Sequence, residues 1–187
     1  MRVIAGEAKG HKLVTLKGDT TRPTMDKVKG AIFNMIAPYM YDASVLDLFA
    51  GSGALGIEAL SRGAKNAVFV DKSRSSVDII KKNLNHTKLI DKATILNGDV
   101  VEIVSRAELG NPHFDIIFMD PPYNKKFAQK VLIFLESNGI LKDSGIIIVE
   151  HSKDDELPMQ IGRLRMTRSK QYGITIISFY QYIKEEE

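Results

Sequence analysis

The sequence predicts an α/β fold, a mostly parallel sheet with helices on both faces, layered α-β-α. Three observations predict it. Short apolar runs rich in Val and Ile alternate with stretches of helical periodicity. The linkers between them are short, as βα units require. A cluster of glycines stands between the first buried run and the helix after it, where an open α/β sheet places its ligand loop.

The strand-like runs are Ser44–Phe49, Asn66–Val70, Ala93–Leu96, Phe114–Met119 and Gly145–Glu150. Helical patterns lie between them at Leu55–Arg62, Ser73–Asn85, Val101–Ala107 and Lys126–Ser137. The tail departs from this alternation. Arg163–Ser169 and Ile174–Tyr180 read as two strands joined at Gln171-Tyr172-Gly173 with no helix between. They predict a hairpin adding antiparallel pairing at one edge of the sheet. The first 42 or so residues read as an extension (1–42) to a core (43–187), all within one domain. Arg2–Ala5 and His11–Leu16 predict a small hairpin around Gly6 and Gly10. Thr24 reads as a helix N-cap, with Asp26 in the first turn. Met25, Val28, Ile32 and Met35 follow at helical spacing, and Pro38 stops the helix.

Bulk composition narrows the function classes. Apolar residues make up 44% and charged residues 26% of 187, the profile of an ordinary globular chain with room for a sizeable core. No window is apolar enough for a membrane span. Met1–Gly6 runs straight into polar residues without an apolar stretch of signal-peptide length. Cysteine is absent, which excludes disulfides, thiolate nucleophiles and Cys-ligated zinc. These features together point to the cytoplasm. The net charge is only +3, but it is unevenly spread. Residues 1–40 hold seven cations (Arg2, Lys9, Lys12, Lys17, Arg22, Lys27, Lys29) against Glu7, Asp19 and Asp26. A second basic run is Arg163, Arg165, Arg168 and Lys170. Charge alone leaves two readings open: a solvated face, or two patches that grip a polyanion such as RNA.

Gly51-Ser52-Gly53-Ala54-Leu55-Gly56 follows strand Ser44–Phe49 at once and matches G-x-G-x-x-G. Asp71 ends the next strand, twenty residues after Gly51. This placement is the signature of a nucleoside-containing cofactor. Both NAD and S-adenosylmethionine use an acid there for ribose hydroxyls, so Asp71 does not choose between them. Asp47 does. A carboxylate just before the glycines faces a pyrophosphate unfavourably and suits a cofactor with an ammonium and a sulfonium. The chain is also short for a dehydrogenase with a separate substrate domain. Gly98-Asp99, after the third strand, sets another acid on the rim; position alone also fits an ordinary turn.

The fourth strand ends in Asp120-Pro121-Pro122-Tyr123. A rigid surface turn is the plain reading of such a tetrapeptide. Beside the glycine loop it has a chemical one. An exocyclic amine on a nucleobase is a poor nucleophile, because its lone pair is delocalised into the ring. The Asp120 carboxylate can accept one N–H and the Pro121 carbonyl the other. Two fixed acceptors pull the nitrogen toward a tetrahedral geometry and aim its lone pair at a methyl donor. Pro121 and Pro122 stiffen the loop, and Tyr123 can stack on the base. The base must leave its helix or loop to enter. No metal is needed: His11, His86, His113 and His151 lack ligand spacing.

At these residues the chain closely resembles the RsmD-like 16S ribosomal RNA guanine-N2 methyltransferases of bacteria. The resemblance covers nearly the whole chain. Its N-terminal part is Arg2-Val3-Ile4-Ala5-Gly6, Gly10-His11-Lys12-Leu13, Arg22–Val28 and Ile32-Phe33-Asn34. Asp47–Gly56 with Glu58–Gly63 is similar to the family's cofactor segment, and Asp120–Tyr123 to its catalytic loop. The glycine loop and the D-P-P-Y loop are widely shared; the N-terminal segment makes the match specific. The resemblance implies a class I methyltransferase (Rossmann-like) fold, a seven-stranded mostly parallel sheet with the C-terminal strand antiparallel. It implies S-adenosyl-L-methionine held by Asp47, Phe49, Ala50, Gly51, Ser52, Gly53, Asp71, Lys72, Asp99 and Val100. Within that set Asp71 takes the ribose, Asp99 the adenine amine, and Asp47, Gly51 and Gly53 the methionine portion. It implies methylation of N2 of one guanine in 16S rRNA, free or within an assembled or assembling small subunit; a monomer is the expectation taken alongside it. It implies RNA contacts from the extension, at Arg2, Lys12, Arg22, Thr24, Lys27 and Lys29. Lys29-Gly30 departs from the family, which often has a basic residue followed by an acid there. Two other classes remain: an amino methylase for adenine N6 or a protein glutamine, and a non-catalytic RNA or nucleotide-binding module. The former more often carry Asn where this chain has Asp120, and an intact Asp120–Tyr123 loop argues against the latter.

Overall fold

The computed structural model describes residues 1–15, 23–105, 113–121 and 127–183, with the side chains of 23–25 left aside. The helices are α1 (Pro23–Met35), α2 (Ala54–Ser61), α3 (Arg74–Thr87), α4 (Val100–Ser105) and α5 (Phe127–Ser137). The strands are β1 (Ser44–Leu48), β2 (Asn66–Asp71), β3 (Ala93–Asn97), β4 (Phe114–Met119), β5 (Leu141–Ser152), β6 (Gln160–Ile161), β7 (Leu164–Tyr172) and β8 (Thr175–Tyr182). They form one sheet in the order β3-β2-β1-β4-β5-β8-β7-β6. β1 to β5 are parallel, and β8 runs against them between β5 and β7.

The sheet has eight strands, one more than expected. The extra strand is the two-residue β6, which pairs with the start of β7 through Ile161 and Leu164. The tail hairpin is also not appended at the edge in chain order. Its second strand takes the inner place. Ile177–Tyr180 of β8 are buried, whereas β7 exposes Arg165 and five consecutive residues from Thr167 to Gln171. An apolar strand needs neighbours on both sides, and a charged one can face water at the edge.

Alternate residues of the strands feed two cores. On one side lie Val45, Phe69, Ile116, Phe118, Ile148 and Phe179, under Ile32 and Phe33 of α1, Ile57 and Leu60 of α2, and Ile80 and Leu84 of α3. On the other lie Leu46, Leu48, Ile117, Ile147 and Tyr180, under Ile103 of α4 and Val131, Leu132 and Leu135 of α5. This is the class I methyltransferase fold.

The N-terminal hairpin is reduced to a single bridge between Arg2 and Lys12. Val3, Ala8 and Leu13 nevertheless join the first core. α1 begins at Pro23, so Thr24 lies inside the first turn and is not the N-cap. Proline at the start costs nothing, because its missing N–H would have no helical partner there. Polar groups also lash this segment to the core. Glu58, inside the apolar α2, is fully buried. Its carboxylate accepts the Ile4 N–H at 2.8 Å, the Ala5 N–H at 3.0 Å and the Arg62 Nε–H at 2.8 Å. Lys29 Nζ completes the set at 3.0 Å. Ser61 Oγ donates to Ala5 O at 2.6 Å and accepts the Ala8 N–H at 2.9 Å. Gly6 fits here because its φ is +82° and a Cβ would stand 1.7 Å from Ser61 O.

Candidate active site

The carboxyl ends of β1 to β4 form one rim, and each carries an acid: Asp47, Asp71, Asp99 and Asp120. After β1 the backbone turns sharply. Phe49, Gly51 and Gly53 have φ of 61°, 55° and 76°. Glycine adopts these freely; Phe49 does so at a cost, a form of strain that concentrates at functional loops. Gly53 N–H donates to Ala50 O at 2.6 Å, and Ala50 N–H to Val70 O at 3.0 Å, so the loop folds tightly against β2. Ser52 and Gly53 are buried beneath it. A Cβ at Gly56 would stand 2.3 Å from the Phe69 ring, so this glycine lets α2 lie close on the sheet. A Cβ at Gly51 would meet only Phe49 O, at 3.9 Å, so Gly51 presents bare backbone to the rim.

Asp47 is 2% exposed, and its Oδ2 accepts the Gly56 N–H at 2.9 Å. Gly56 lies in the first turn of α2, whose own N-cap, Gly53, has no side chain to offer. Asp47 therefore caps α2 from beneath, with its charge at the positive end of the helix. Burial pushes its carboxyl up to about 7, against the pull of the Gly56 bond and with added repulsion from Asp71. A buried carboxylate that resists ionising is a site that a cationic ligand relieves.

Asp71 does more than end β2. Its Oδ2 accepts the Gly51 N–H and its Oδ1 the Ser73 N–H, both at 2.8 Å. One carboxylate thus ties the glycine loop to the start of α3. Each oxygen keeps a second lone pair for a ribose hydroxyl. Lys72, next to it, is exposed. Asp99 is exposed and caps α4 through Oδ1 to Val101 N at 2.9 Å, while Val100 is buried. These acids, the bare glycines and the half-buried Phe49 are a donor set that fits S-adenosylmethionine.

Asp120 follows β4 on the exposed rim, and Pro121 behind it is buried. Pro122 and Tyr123 lie outside the described residues. The Phe49 ring meets Phe127, at the start of α5, edge to face at 5.6 Å. This contact joins the glycine loop to the helix that follows the Asp120 segment.

The structure separates the expected RNA contacts. Lys12 and Lys27 are exposed, and Arg2 is exposed with Nε 3.3 Å from Asp26. Lys29, expected among the RNA contacts, is turned away from solvent. It is 5% exposed, with Nζ held by Glu58 and by Arg2 O at 2.6 Å. Its ammonium is lowered by burial, with Glu58 opposing. It neutralises Glu58 instead of reaching solvent. Arg22 and the side chain of Thr24 lie outside the described residues.

Two residues near the site were not singled out in the sequence. Asn83 of α3 is buried and accepts the Val14 N–H at 2.8 Å. Its amide donates to Val14 O and to Ser52 O, each at 2.9 Å. It thus joins the N-terminal segment to the glycine loop. Glu150 sits beside Asp120, because Met119 pairs with Val149, and burial raises its carboxyl. An acid closing a buried Ile-Ile-Ile-Val run was a signal for it. Among the described residues no group of three or more His, Asp or Glu could hold a metal ion, and no helix is long and apolar enough to cross a membrane.

The comparisons agree with this geometry. The family model described as Conserved hypothetical protein 95 matches residues 1–181. A Bacillus subtilis relative is 42% identical over 181 residues, covering 97% of this chain and 98% of its own. The Escherichia coli K12 protein named ribosomal RNA small subunit methyltransferase D is 36% identical, over 97% of this chain and 89% of its own. A solved methyltransferase-like chain from Escherichia coli superposes with a TM-score of 0.87 at 34% identity, covering 99% of both chains. A methyltransferase solved with SAH shares the fold at a TM-score of 0.67 and 18% identity, over 84% of this chain and 49% of its own. Fold, rim and matched length lead to one conclusion: the chain belongs to the Conserved hypothetical protein 95 family, among whose members the resemblance to RsmD-like methyltransferases places it.

Proposed function

We propose that this protein transfers the methyl group of S-adenosylmethionine to the exocyclic N2 amine of a guanine in 16S ribosomal RNA, in the cytoplasm. The observation that carries it is Asp120-Pro121 on the rim beside a glycine loop floored by buried Asp47, in a chain of this family. The names of the relatives support the rRNA substrate.

The residues divide the work. Asp71 accepts from ribose hydroxyls while it holds Gly51. Asp47 offsets the positive charge of the methionine end, and Gly51 and Gly53 let it approach the backbone. Asp99 with Val100 after it, and Lys72 next to Asp71, border the adenine. Held by these residues, S-adenosylmethionine would supply an electrophilic methyl group, with a neutral thioether as the leaving group. Asp120 and the Pro121 carbonyl each accept one N–H of the amine and orient its lone pair. As the N–C bond forms, the nitrogen gives up one proton, and Asp120 is placed to take it and pass it to water. Tyr123 stacks on the base, and Pro122 keeps the loop stiff. Lys12, Lys27 and Arg2 of the extension contact the RNA backbone, with Arg22 and Thr24 completing that set.

The test is methylation of ribosomal RNA from a strain lacking the modification, with labelled S-adenosylmethionine and mapping of the labelled base. Label on N2 of a single 16S guanine is expected. Asp120→Ala should lose transfer while calorimetry shows cofactor binding nearly unchanged. Label on adenine or on protein overturns the substrate, and full turnover by the Ala variant overturns the role of Asp120.

A further inference from the structure

β7 carries Arg165, Arg168 and Lys170. At the strict period of a strand, Arg165 faces one side of the sheet and the other two face the opposite side. The structure re-phases them. The register of β7 on β8 shifts between Met166 and Arg168, leaving Thr167 as the extra residue of a β-bulge. After it, Arg165 pairs with Gln181, Arg168 with Phe179, Lys170 with Ile177 and Tyr172 with Thr175. Those partners alternate along β8, so all four β7 residues face the same side.

That side is the one covered by α1. Phe179 and Ile177 share a core with Ile32, Phe33 and Ile36. Gln181 Nε2 donates to the hydroxyl of Tyr39, just past the helix, at 2.8 Å. The cover stops there, and Arg165, Arg168 and Lys170 stand exposed beyond it. The row leads to the active rim. Tyr172 pairs with Thr175, and Thr175 with Ser152, the last residue of β5. β5 in turn neighbours β4, which ends before Asp120.

The three cations also have no acid paired with them among the described residues. Arg163, the fourth of the run, is taken up by Asp143 at 3.2 Å and lies 4.7 Å over the Tyr182 ring. Among the described residues Arg165, Arg168 and Lys170 form no ion pair; Lys170 lies 5.6 Å over the ring of Tyr172. Charge on an edge strand also discourages edge-to-edge pairing. That purpose is served by charge on either face, and does not require a bulge that gathers three cations on one.

We propose that this row is a second track for the substrate RNA, in which Arg165, Arg168 and Lys170 bind consecutive phosphates and guide the chain past Tyr172 to Asp120. It rests on the RNA methyl-transfer reading and deepens it. Two residues of strand advance about 6.6 Å, so each step along the row presents a cation at a spacing that an extended RNA backbone can follow.

The experiment measures RNA affinity against salt by fluorescence anisotropy, with a 16S rRNA fragment and the full chain. The triple variant Arg165→Gln, Arg168→Gln, Lys170→Gln should lower the slope of log K on log salt by about 2, at roughly 0.7 to 0.9 per lost phosphate contact. Its KM for RNA should rise while its affinity for S-adenosylmethionine stays at the wild-type value. Arg163→Gln should keep the wild-type slope. So should the charge-matched triple Lys65→Gln, Lys81→Gln, Lys82→Gln, whose residues are all exposed and lie away from β7. A wild-type slope in the β7 triple, or an equal fall in the charge-matched triple, overturns the track. If the wild type methylates no rRNA yet the β7 triple alone loses slope, the track stands and the methyl-transfer reading falls.

Discussion

Replacing Asp47 with Asn removes a negative charge from the floor of the glycine loop and leaves an oxygen for the Gly56 N–H. The native carboxyl is fully enclosed and raised to about 7 from an ordinary 3.8. The difference is about three units, and each unit is worth about 1.36 kcal/mol, so the ionised group costs the folded state up to about 4 kcal/mol. The sign follows from proton binding. Between about pH 4 and pH 7 the folded protein holds a proton that the unfolded chain has lost. Stability therefore falls as pH rises through that window, and the whole cost is present above it. Asn carries no such cost. Without cofactor, Asp47→Asn should be more stable than the wild type at pH 8, and the gap should close toward pH 4. Urea denaturation at several pH values reads this directly as a difference in midpoint. Parallel stability curves, or a variant less stable at pH 8, would refute the reasoning. A cationic ligand reverses the balance, because it favours the ionised form. The wild type should then bind S-adenosylmethionine more tightly as pH rises from 6 to 8, and the variant should lose most of that dependence.

Glu58→Ala strands the Lys29 ammonium in the core along with the Ile4 and Ala5 N–H groups, and should cost about 3–5 kcal/mol by urea denaturation. Adding Lys29→Met should recover part of this loss, and a double variant no better than the single would show that the ion pair is not what Glu58 supports. Asn83→Ala removes the bonds to Val14 and Ser52 and should weaken S-adenosylmethionine binding by calorimetry, although Asn83 lies under the loop and not on its rim; unchanged affinity would show that the loop holds its shape without it.

The parallel core was legible because its strands are buried on both faces, which leaves continuous apolar runs at β2, β4 and β5. The glycine turn was legible because only glycine tolerates its backbone and its close packing. The order of the last strands was not, because sequence neighbours need not be sheet neighbours. β8 is inserted by its apolar content, and β7 is pushed to the edge by its charge. Nor was the bulge at Thr167 legible: in a simple alternation the three cations of β7 fall on opposite faces. The burial of Lys29 was not legible, because a helical lysine in a basic segment looks like its exposed neighbours. Its signal lay twenty-nine residues on. Glu58 stands within Ala54-Leu55-Gly56-Ile57-Glu58-Ala59-Leu60, and a charge inside so apolar a helix requires a buried counterion. Asp47 was placed at the right strand end, but the tie to Gly56 needed the fold.

The extension and the cofactor loop are held by the same few side chains, and this bears on how the site is assembled. Glu58 and Ser61, both on α2, hold residues 4, 5 and 8 of the extension. The first turn of that same helix is capped by Asp47. Asn83, on α3, grips Val14 and Ser52 at once. α3 begins beside Ser73, which is tied through Asp71 to Gly51. The anchors on α2 and α3 thus sit on elements whose other ends shape the glycine loop. A force on the extension, such as that of a bound RNA, bears on α2 and α3 before it reaches solvent. The extension is therefore fastened to the helices that shape the glycine loop and is not a loosely joined arm. Lys29 belongs to that fastening: a cation whose place in the basic segment suggests RNA is consumed in neutralising Glu58.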